Sequence, residues 1–429
     1  MIAKMRIGDN RLETIHVKQR SDLTHKHNVM HGRHGWLRLT PAYSVKVVDE
    51  IIQHWPTGSR ILDPFSGTAT TPLCAAMQGF NATAVDINPF LVWFGQAKVA
   101  EYTEKDIEIT RDLASYILRL VSSSNEHLNM CAIPALHNIE RWWNSDSLLF
   151  LRRLKTYIDM MAHEGTHSKV LLLIAFCRTM IRTSNASFDH QSMSFKEEEK
   201  SSFQQLSLNG LDIDCDFVNM FREDVAYVLN AATMNPVASA EIVQGDSRNV
   251  GEHLTGIYDL VVTSPPYPNR MSYIREVRPY MYWLGYFNEA YEAGELDWQA
   301  IGGTWGIATS RLLQWHRNKD SFLLSYLQDI LVRIAKAEHK NSKLLARYVE
   351  KYFEDMWFHL KSMVSLLSSG GRAYYIVGNS TFYNVLLPVE RIYRDMMLEL
   401  GLADVSIKVL RKRNSKKELF EYEVCGTKR

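Results

Sequence analysis

Of the 429 residues only five are cysteine, at positions 74, 131, 177, 215 and 425, and no two of them form a CxxC pair. That spacing excludes a disulfide framework and a cysteine zinc site, and it fits a reduced compartment. No run approaches the roughly 20 consecutive apolar residues that cross a bilayer. The longest candidate, Val170 to Phe176, is far too short, so no transmembrane helix is expected. The chain starts Met-Ile-Ala-Lys with charged residues close behind, which does not read as a secretory signal, and a cytoplasmic setting is expected. Charge of one sign is lacking too: 49 basic against 48 acidic residues leave a net +1. Such a balance neither demands nor forbids a polyanionic partner, because a local basic face can coexist with overall neutrality. Four histidines (25, 27, 31 and 34) stand in the first 35 residues, and no metal is expected there. Proline is scarce, 12 in all, yet two stand side by side at 265 and 266.

Those two prolines lie in Thr263-Ser264-Pro265-Pro266-Tyr267, directly after the mostly apolar run Tyr258-Asp259-Leu260-Val261-Val262. A buried strand thus runs into a backbone that cannot continue a sheet ladder, since proline has fixed φ and no N–H. The stiffened turn holds the carbonyls of Ser264 and Pro265 in a set direction beside the ring of Tyr267. Fixed acceptors next to a stacking ring suit a planar base that carries an exocyclic amine.

About 200 residues earlier, Arg60-Ile61-Leu62-Asp63-Pro64-Phe65-Ser66-Gly67-Thr68-Ala69-Thr70-Thr71 reads as a strand, a small-residue turn and a helix beginning near Pro72. This is the crevice in which open α/β sheets hold an adenosine-type cofactor. The next strand, 81–88, carries Asp86 about 20 residues beyond the loop, where such folds place an acid on a ribose hydroxyl. Asp-Ile-Asn-Pro is also a good turn, so a capping role for Asp86 stays open. On its residues alone, Asp246 in Val243-Gln244-Gly245-Asp246 reads as a helix cap.

With both segments in view, DPFSGTAT and TSPPY resemble the amino-group DNA methyltransferases of restriction–modification systems, which make N4-methylcytosine or N6-methyladenine from S-adenosylmethionine. The resemblance implies a class-I methyltransferase fold, α/β and Rossmann-like, with a doubly wound, mostly parallel seven-stranded sheet whose final strand pair is antiparallel. It assigns Asp63, Pro64, Phe65, Gly67 and Thr68 to the cofactor loop and Asp86 to the ribose. Thr40 and Pro41 would close over the methionine end, and Asp246 would sit near the adenine. Ser264, Pro265, Pro266 and Tyr267 become the catalytic loop. One departure is visible: Ala69 stands where the family loop usually has a second glycine, which touches donor affinity. The implied partner is double-stranded DNA, with a companion restriction endonuclease in prospect, in a prokaryotic cytoplasm on the nucleoid. A serine before the two prolines is commoner among the family's N4-cytosine enzymes, which favours cytosine over adenine. Carbon-5 methylation is excluded, because its thiolate nucleophile follows a proline in that family and no cysteine here does. Enzymes acting on RNA bases share both motifs, and a catalytically silent defence subunit would keep the same fold.

The expected layout is an N-terminal arm and first half-core over residues 1–88, a mainly helical insertion over 89–239, and the second half-core over 240–429 with its own insertion at 268–369. Strands are expected at 60–65, 81–87, 240–245, 258–263, 372–378, 404–410 and 422–426. Helices are expected at 42–55, 106–121, 146–162 and 168–181, with a long helical pattern over 322–367. Residues 1–35 read as a loose polar arm. The 280–287 aromatic cluster (Tyr280, Tyr282, Trp283, Tyr286, Phe287) reads as core. Candidate nucleic-acid contacts are Arg182 and Asn185 at a helix end, Asn269, Arg270 and Arg275 just past the catalytic loop, and Arg411, Arg413 and Lys416 in a hairpin loop.

Overall fold

The structure is a computed structural model that describes residues 17–39, 42–123, 128–187, 194–195, 215–304, 307–318, 321–322, 324–413 and 418–429. Thr40, Pro41 and Lys416 lie outside the described residues.

Seven strands form one sheet: β1 (Ile61–Asp63), β2 (Ala82–Asp86), β3 (Ala240–Gln244), β4 (Tyr258–Thr263), β5 (Leu367–Gly378), β6 (Leu402–Lys412) and β7 (Phe420–Lys428). Their order across the sheet is β6-β7-β5-β4-β1-β2-β3. All neighbours run parallel except β7, which is antiparallel to both β5 and β6. This is the class-I methyltransferase sheet, with the expected antiparallel pair at the end. All seven expected strands are present, and the last three are longer than their apolar cores foretold. The order reverses between β1 and β4, so this is the topological switch point at which α/β sheets bind ligands.

The principal helices, in chain order, are α1 (Val45–Ile52), α2 (Thr70–Met77), α3 (Pro89–Val99), α4 (Glu104–Ser122), α5 (Ser145–Met161), α6 (His167–Arg182), α7 (Cys215–Ala232), α8 (Tyr273–Trp283), α9 (Ala290–Gln299), α10 (Ser325–Ala335), α11 (Ser342–Leu366) and α12 (Val389–Glu399). α1 is shorter than the expected 42–55. Ser44 caps it by accepting from the Lys46 amide, and it lays Val45, Val48 and Ile52 against β1 and β4. The other sheet face is covered by α11 and α12, whose Met356, Leu360, Ile392 and Met396 share a core with Val261, Ala373 and Val377. α4 to α7 pack on one another and on α8, so that the expected aromatic cluster is indeed core: Tyr280, Met281 and Trp283 are buried against Phe176 and Trp143. The long pattern at 322–367 is two helices, α10 and α11, separated at residues 336–341, with the polar Lys340-Asn341 step at the break.

Residues 17–39 are not a loose arm. Asn28 is buried and clasps the backbone of the next segment, donating to the carbonyl of Tyr43 and accepting from the amide of Val45. Arg33, 3% exposed, reaches between two helix ends. It donates to the carbonyls of Lys98 (3.0 Å) and Ala100 (2.5 Å) at the C-terminal end of α3, and to the Ala232 carbonyl (2.8 Å) and Asn235 Oδ1 (2.6 Å) at that of α7. A guanidinium fits there because helix C-termini present unpaired carbonyls and partial negative charge. A histidine-rich sequence hid this, since the anchoring residues are a single asparagine and a single arginine. Arg33→Met should leave these acceptors unsatisfied and cost about 2–4 kcal/mol. The check is a lower urea midpoint with an unchanged slope; an unchanged midpoint would remove Arg33 from the account of stability.

Candidate active site

β1 and β4 are neighbours, so the loops leaving their C-terminal ends emerge side by side. A cavity of about 590 Å³ opens there, lined by both loops, by the β2 end, by residues 19–26, by the α9 end and by the β6–β7 hairpin.

On the donor side, the loop 64–69 is held to β2 through its backbone amides. The Ser66 amide donates to the Val85 carbonyl at 2.8 Å, and the Gly67 amide donates to Asp86 Oδ2 at 2.7 Å. Gly67 has φ +50°, a left-handed backbone that glycine adopts without a Cβ penalty. Asp86 uses its other oxygen to accept the Asn88 amide at 2.8 Å, and Asn88 caps α3 by accepting from the Phe90 amide. Asp86 therefore makes the turn and also faces the cavity. Burial pushes its pKa up to about 7, against the two backbone bonds that favour the charged form.

Asp63 does not line the cavity. It lies buried beneath the loop, where Oδ1 accepts from the Phe65 amide at 3.1 Å and from the Thr263 hydroxyl at 2.5 Å. Burial pushes its carboxyl up to about 6. Its place is that of a brace between the two loops. Pro64 is also set back, its carbonyl accepting from the Ser247 hydroxyl. Phe65, Gly67, Thr68 and Asp246 do line the cavity. Asp246 caps the turn at Ser247–Asn249 by accepting from the Arg248 amide, and it is ion-paired with the Arg248 guanidinium.

Two residues that line this crevice each carry a buried polar atom with no protein partner: Ser66 Oγ and Asn88 Nδ2. Together with the Asp86 carboxylate and a cavity of ligand size, they fit a nucleoside bearing an amino-acid tail. The donor is S-adenosylmethionine.

On the acceptor side, Ser264 Oγ donates to the Ile376 carbonyl at 3.2 Å. The Tyr267 hydroxyl donates to Glu421 Oε1 at 3.0 Å, and its amide donates to the Tyr273 hydroxyl at 3.3 Å. Burial and the Glu421 carboxylate hold the Tyr267 phenol well above its ordinary pKa, so it stays a donor. The carbonyl of Pro266 is already occupied, accepting from Tyr352 at 2.8 Å. Tyr352 in turn meets the Tyr393 hydroxyl at 2.9 Å. On the donor side a second buried polar set backs the cavity: His359 bonds the Ser247 carbonyl (2.8 Å) and the Tyr375 hydroxyl (2.6 Å), and its ring packs 4.6 Å from that of Phe65. Desolvation lowers His359 to about 4, so it is neutral.

The hairpin residues expected at phosphates turn inward instead. Arg411 pairs with both oxygens of Glu421 at 2.8 and 3.1 Å, and the Arg413 guanidinium sits 5.0 Å from the centre of the Tyr267 ring. Gly378 makes room for them: a Cβ there would lie 2.9 Å from both Tyr267 and Arg413 Cζ. Asn269 lines the cavity, whereas Arg270 and Arg275 are exposed beside it. Arg182 pairs with Glu223 and Asp224, and Asn185 meets the Arg141 carbonyl; neither borders the cavity. Motif reading missed Glu421, Arg413's stacking position, Gly378 and the 19–26 wall. No motif carries a signal for them. Among the described residues no cluster of side chains could hold a metal, and no helix is long and apolar enough to cross a membrane.

A family model described as D12 class N6 adenine-specific DNA methyltransferase matches residues 45–203. That stretch contains the donor loop and Asp86 but stops short of Thr263–Tyr267. The chain is 21% identical over 433 residues to the Type II methyltransferase M.BsoBI of Geobacillus stearothermophilus, covering 91% of this chain and 82% of that protein. It is 22% identical over 408 residues to the Type II methyltransferase M.AvaI of Nostoc sp., covering 87% and 80%. Among solved structures, TrmN from Thermus thermophilus matches with a TM-score of 0.32 at 9% identity, covering 95% of this chain and 53% of that one. The fold rests on the sheet order and not on that last likeness. Sheet order, crevice and the partial family match agree on a methyltransferase that takes S-adenosylmethionine as its methyl donor.

The raised carboxyl of Asp86 gives a signed pH effect. Its folded value of about 7 exceeds the ordinary 3.8, so its contribution to stability is complete below pH 4 and is lost as pH rises through 7. A ribose hydroxyl donating to it favours the charged form, so donor affinity should rise about tenfold from pH 6 to pH 8. In Asp86→Asn, calorimetry should find weaker binding with no such rise. An equal slope in that variant would assign the titration to another group.

Proposed function

We propose that this chain transfers the methyl group of S-adenosylmethionine to the N4 amino group of a cytosine flipped out of double-stranded DNA, as the modification enzyme of a restriction–modification system. The supporting observation is that Thr263–Tyr267 and the donor loop open into one cavity from adjacent strand ends. Bound S-adenosylmethionine supplies an electrophilic sulfonium methyl. The chain's own residues supply acceptors, a stacking surface and alignment.

With the Pro266 carbonyl taken by Tyr352, the acceptors left for the amine are on Ser264 and Pro265. Accepting both N–H bonds turns the nitrogen toward sp³ and frees its lone pair for in-line displacement. Tyr267 covers the base face, held in its plane by Glu421 at the hydroxyl and Arg413 at the ring. Attack forms the N–C bond and breaks the S–C bond, releasing S-adenosylhomocysteine. The positive charge passes to the amine nitrogen, which then gives up one N–H proton to water, so no net charge is created in a water-poor site. An amine inside a duplex cannot reach this depth, which is why the reading includes base flipping.

Cytosine rests on Ser264 in the position before the two prolines. N6-adenine is the second reading, favoured by the description of the matched family model, although the matched residues exclude the catalytic loop. The cationic rim made by Lys26 and Lys412, with the exposed Arg270 and Arg275, is where the DNA backbone would lie. We place sequence recognition in the insertions at 89–239 and 268–369. That the relatives are Type II methyltransferases of bacteria supports a companion endonuclease and a prokaryotic cytoplasmic setting.

Expression in a methylation-deficient host, followed by nucleoside mass spectrometry of its DNA, should reveal N4-methylcytosine. N6-methyladenine would transfer the assignment to the second reading, and neither product would sink both. Tyr267→Ala should lose at least a hundredfold in methyl transfer with donor affinity changed less than about threefold, since stacking on the base is worth roughly 1–3 kcal/mol before alignment is counted. Near-wild-type turnover in this variant would dismiss the catalytic loop.

A further inference from the structure

The departure at residue 69 has a physical partner. Ala69 is fully buried and takes φ +56° and ψ +40°, the left-handed conformation that a glycine adopts freely and an alanine resists. Two residues of α3, one turn apart and therefore on the same helix face, meet the loop here. Gly95 leaves space for the alanine methyl, for a Cβ at Gly95 would stand 3.2 Å from the Cβ of Ala69. Lys98, 1% exposed, donates its Nζ to the carbonyl of Thr68, the residue just before the left-handed position.

Lys98 is an unusual group to bury. Among the described residues no carboxylate pairs with its amine, whose surroundings are the Phe94 ring at 5.5 Å, the loop carbonyl and the buried His34; Arg33 meets the backbone carbonyl of Lys98. An apolar side chain of the same length would avoid the desolvation cost, so stability alone does not explain the lysine. What it does is complete a pair of opposite grips. The Gly67 amide is held by the Asp86 carboxylate, and the Thr68 carbonyl by the Lys98 amine. The peptides leading into Ala69 are thus fixed from both sides.

We propose that Lys98 is a positioning residue of the donor site: by holding the Thr68 carbonyl, with Gly95 admitting the methyl, it imposes the left-handed backbone that Ala69 does not adopt unaided. This rests on the S-adenosylmethionine crevice and not on which base is methylated.

The test is a double-mutant cycle on the full chain, reading S-adenosylmethionine affinity by calorimetry and melting temperature without donor. Lys98→Met should weaken donor binding about tenfold, the size of a lost charge-assisted hydrogen bond, while its melting temperature stays equal or rises. Adding Ala69→Gly to Lys98→Met should return the affinity to within about threefold of the wild type, because glycine needs no enforcement. Should Lys98→Met fold poorly, Gly95→Ala probes the same geometry. It should weaken the donor in the natural loop and weaken it less beside Ala69→Gly, the remainder coming from Ile242, which a Cβ at Gly95 would also meet at 3.2 Å. Unchanged affinity in Lys98→Met, or a double variant no better than Lys98→Met, overturns the inference while leaving the donor crevice in place. Absence of donor binding by the wild type overturns both.

Discussion

One hydrogen bond joins the two halves of the chemistry. Asp63 ends β1, Thr263 ends β4, and the hydroxyl of one meets the carboxyl of the other at 2.5 Å. The backbone pairing between these strands records only Ile61 with Leu260 and Leu62 with Val261. The side-chain bond therefore carries their alignment beyond the last ladder step, to the point where one loop turns to the donor and the other to the acceptor. Asp63 sits out of the cavity, yet both walls depend on it. Thr71 adds a second tie, donating to the Val262 carbonyl at 3.1 Å while meeting the Tyr43 hydroxyl, so α1 and α2 are fastened to the same strand end. The burial that raises the Asp63 carboxyl is the cost of placing a polar brace at the core of a sheet.

The parts of this architecture that sequence reveals are the parts whose causes are local. Strand ends were legible because an apolar run stops at a proline pair or a small-residue turn, and the seven strands follow from that alternation. Asp86 was legible because its distance from the loop is set within one βαβ unit. The supporting cast was not, because it arrives from far away in the chain. Glu421 stands 154 residues beyond the tyrosine it holds, and nothing in Leu419-Phe420-Glu421 announces a catalytic neighbour. Arg411 and Arg413 read in the sequence as candidate nucleic-acid contacts in a hairpin loop. The hairpin instead turns them onto Glu421 and the Tyr267 ring, a result of strand register that composition does not encode. Asp63 shows the opposite error: its motif was plain, but the motif could not say that it braces a loop from beneath. Residues 17–39 misled for a third reason, since polarity and histidine content say little when two buried side chains do the anchoring.

The cavity is assembled by every layer of the fold. The parallel strands give two loops, the antiparallel hairpin holds the aromatic ring, the N-terminal segment closes one side, and the insertion after β4 closes another through the buried Asp297 and its partner Ser272. The hairpin and the N-terminal segment are themselves joined, the amide of Lys412 donating to the carbonyl of Lys18. A site built this way tolerates drift in surface loops but not in strand register, because a slip of one residue in β7 would turn Glu421 to the opposite sheet face.

The buried tyrosine and histidine contacts behind the loops have a consequence for ionic strength. Tyr352, Tyr393, Tyr375 and the neutral His359 brace the Pro266 carbonyl and the Ser247 turn without a single net charge. Dissolved ions do not screen such contacts, whereas they act strongly on the lysines and arginines around the cavity mouth. Salt therefore acts on the charged groups at the entrance and leaves the brace behind the Pro266 carbonyl and the Ser247 turn untouched, so the mouth and the back wall of the cavity answer to separate forces.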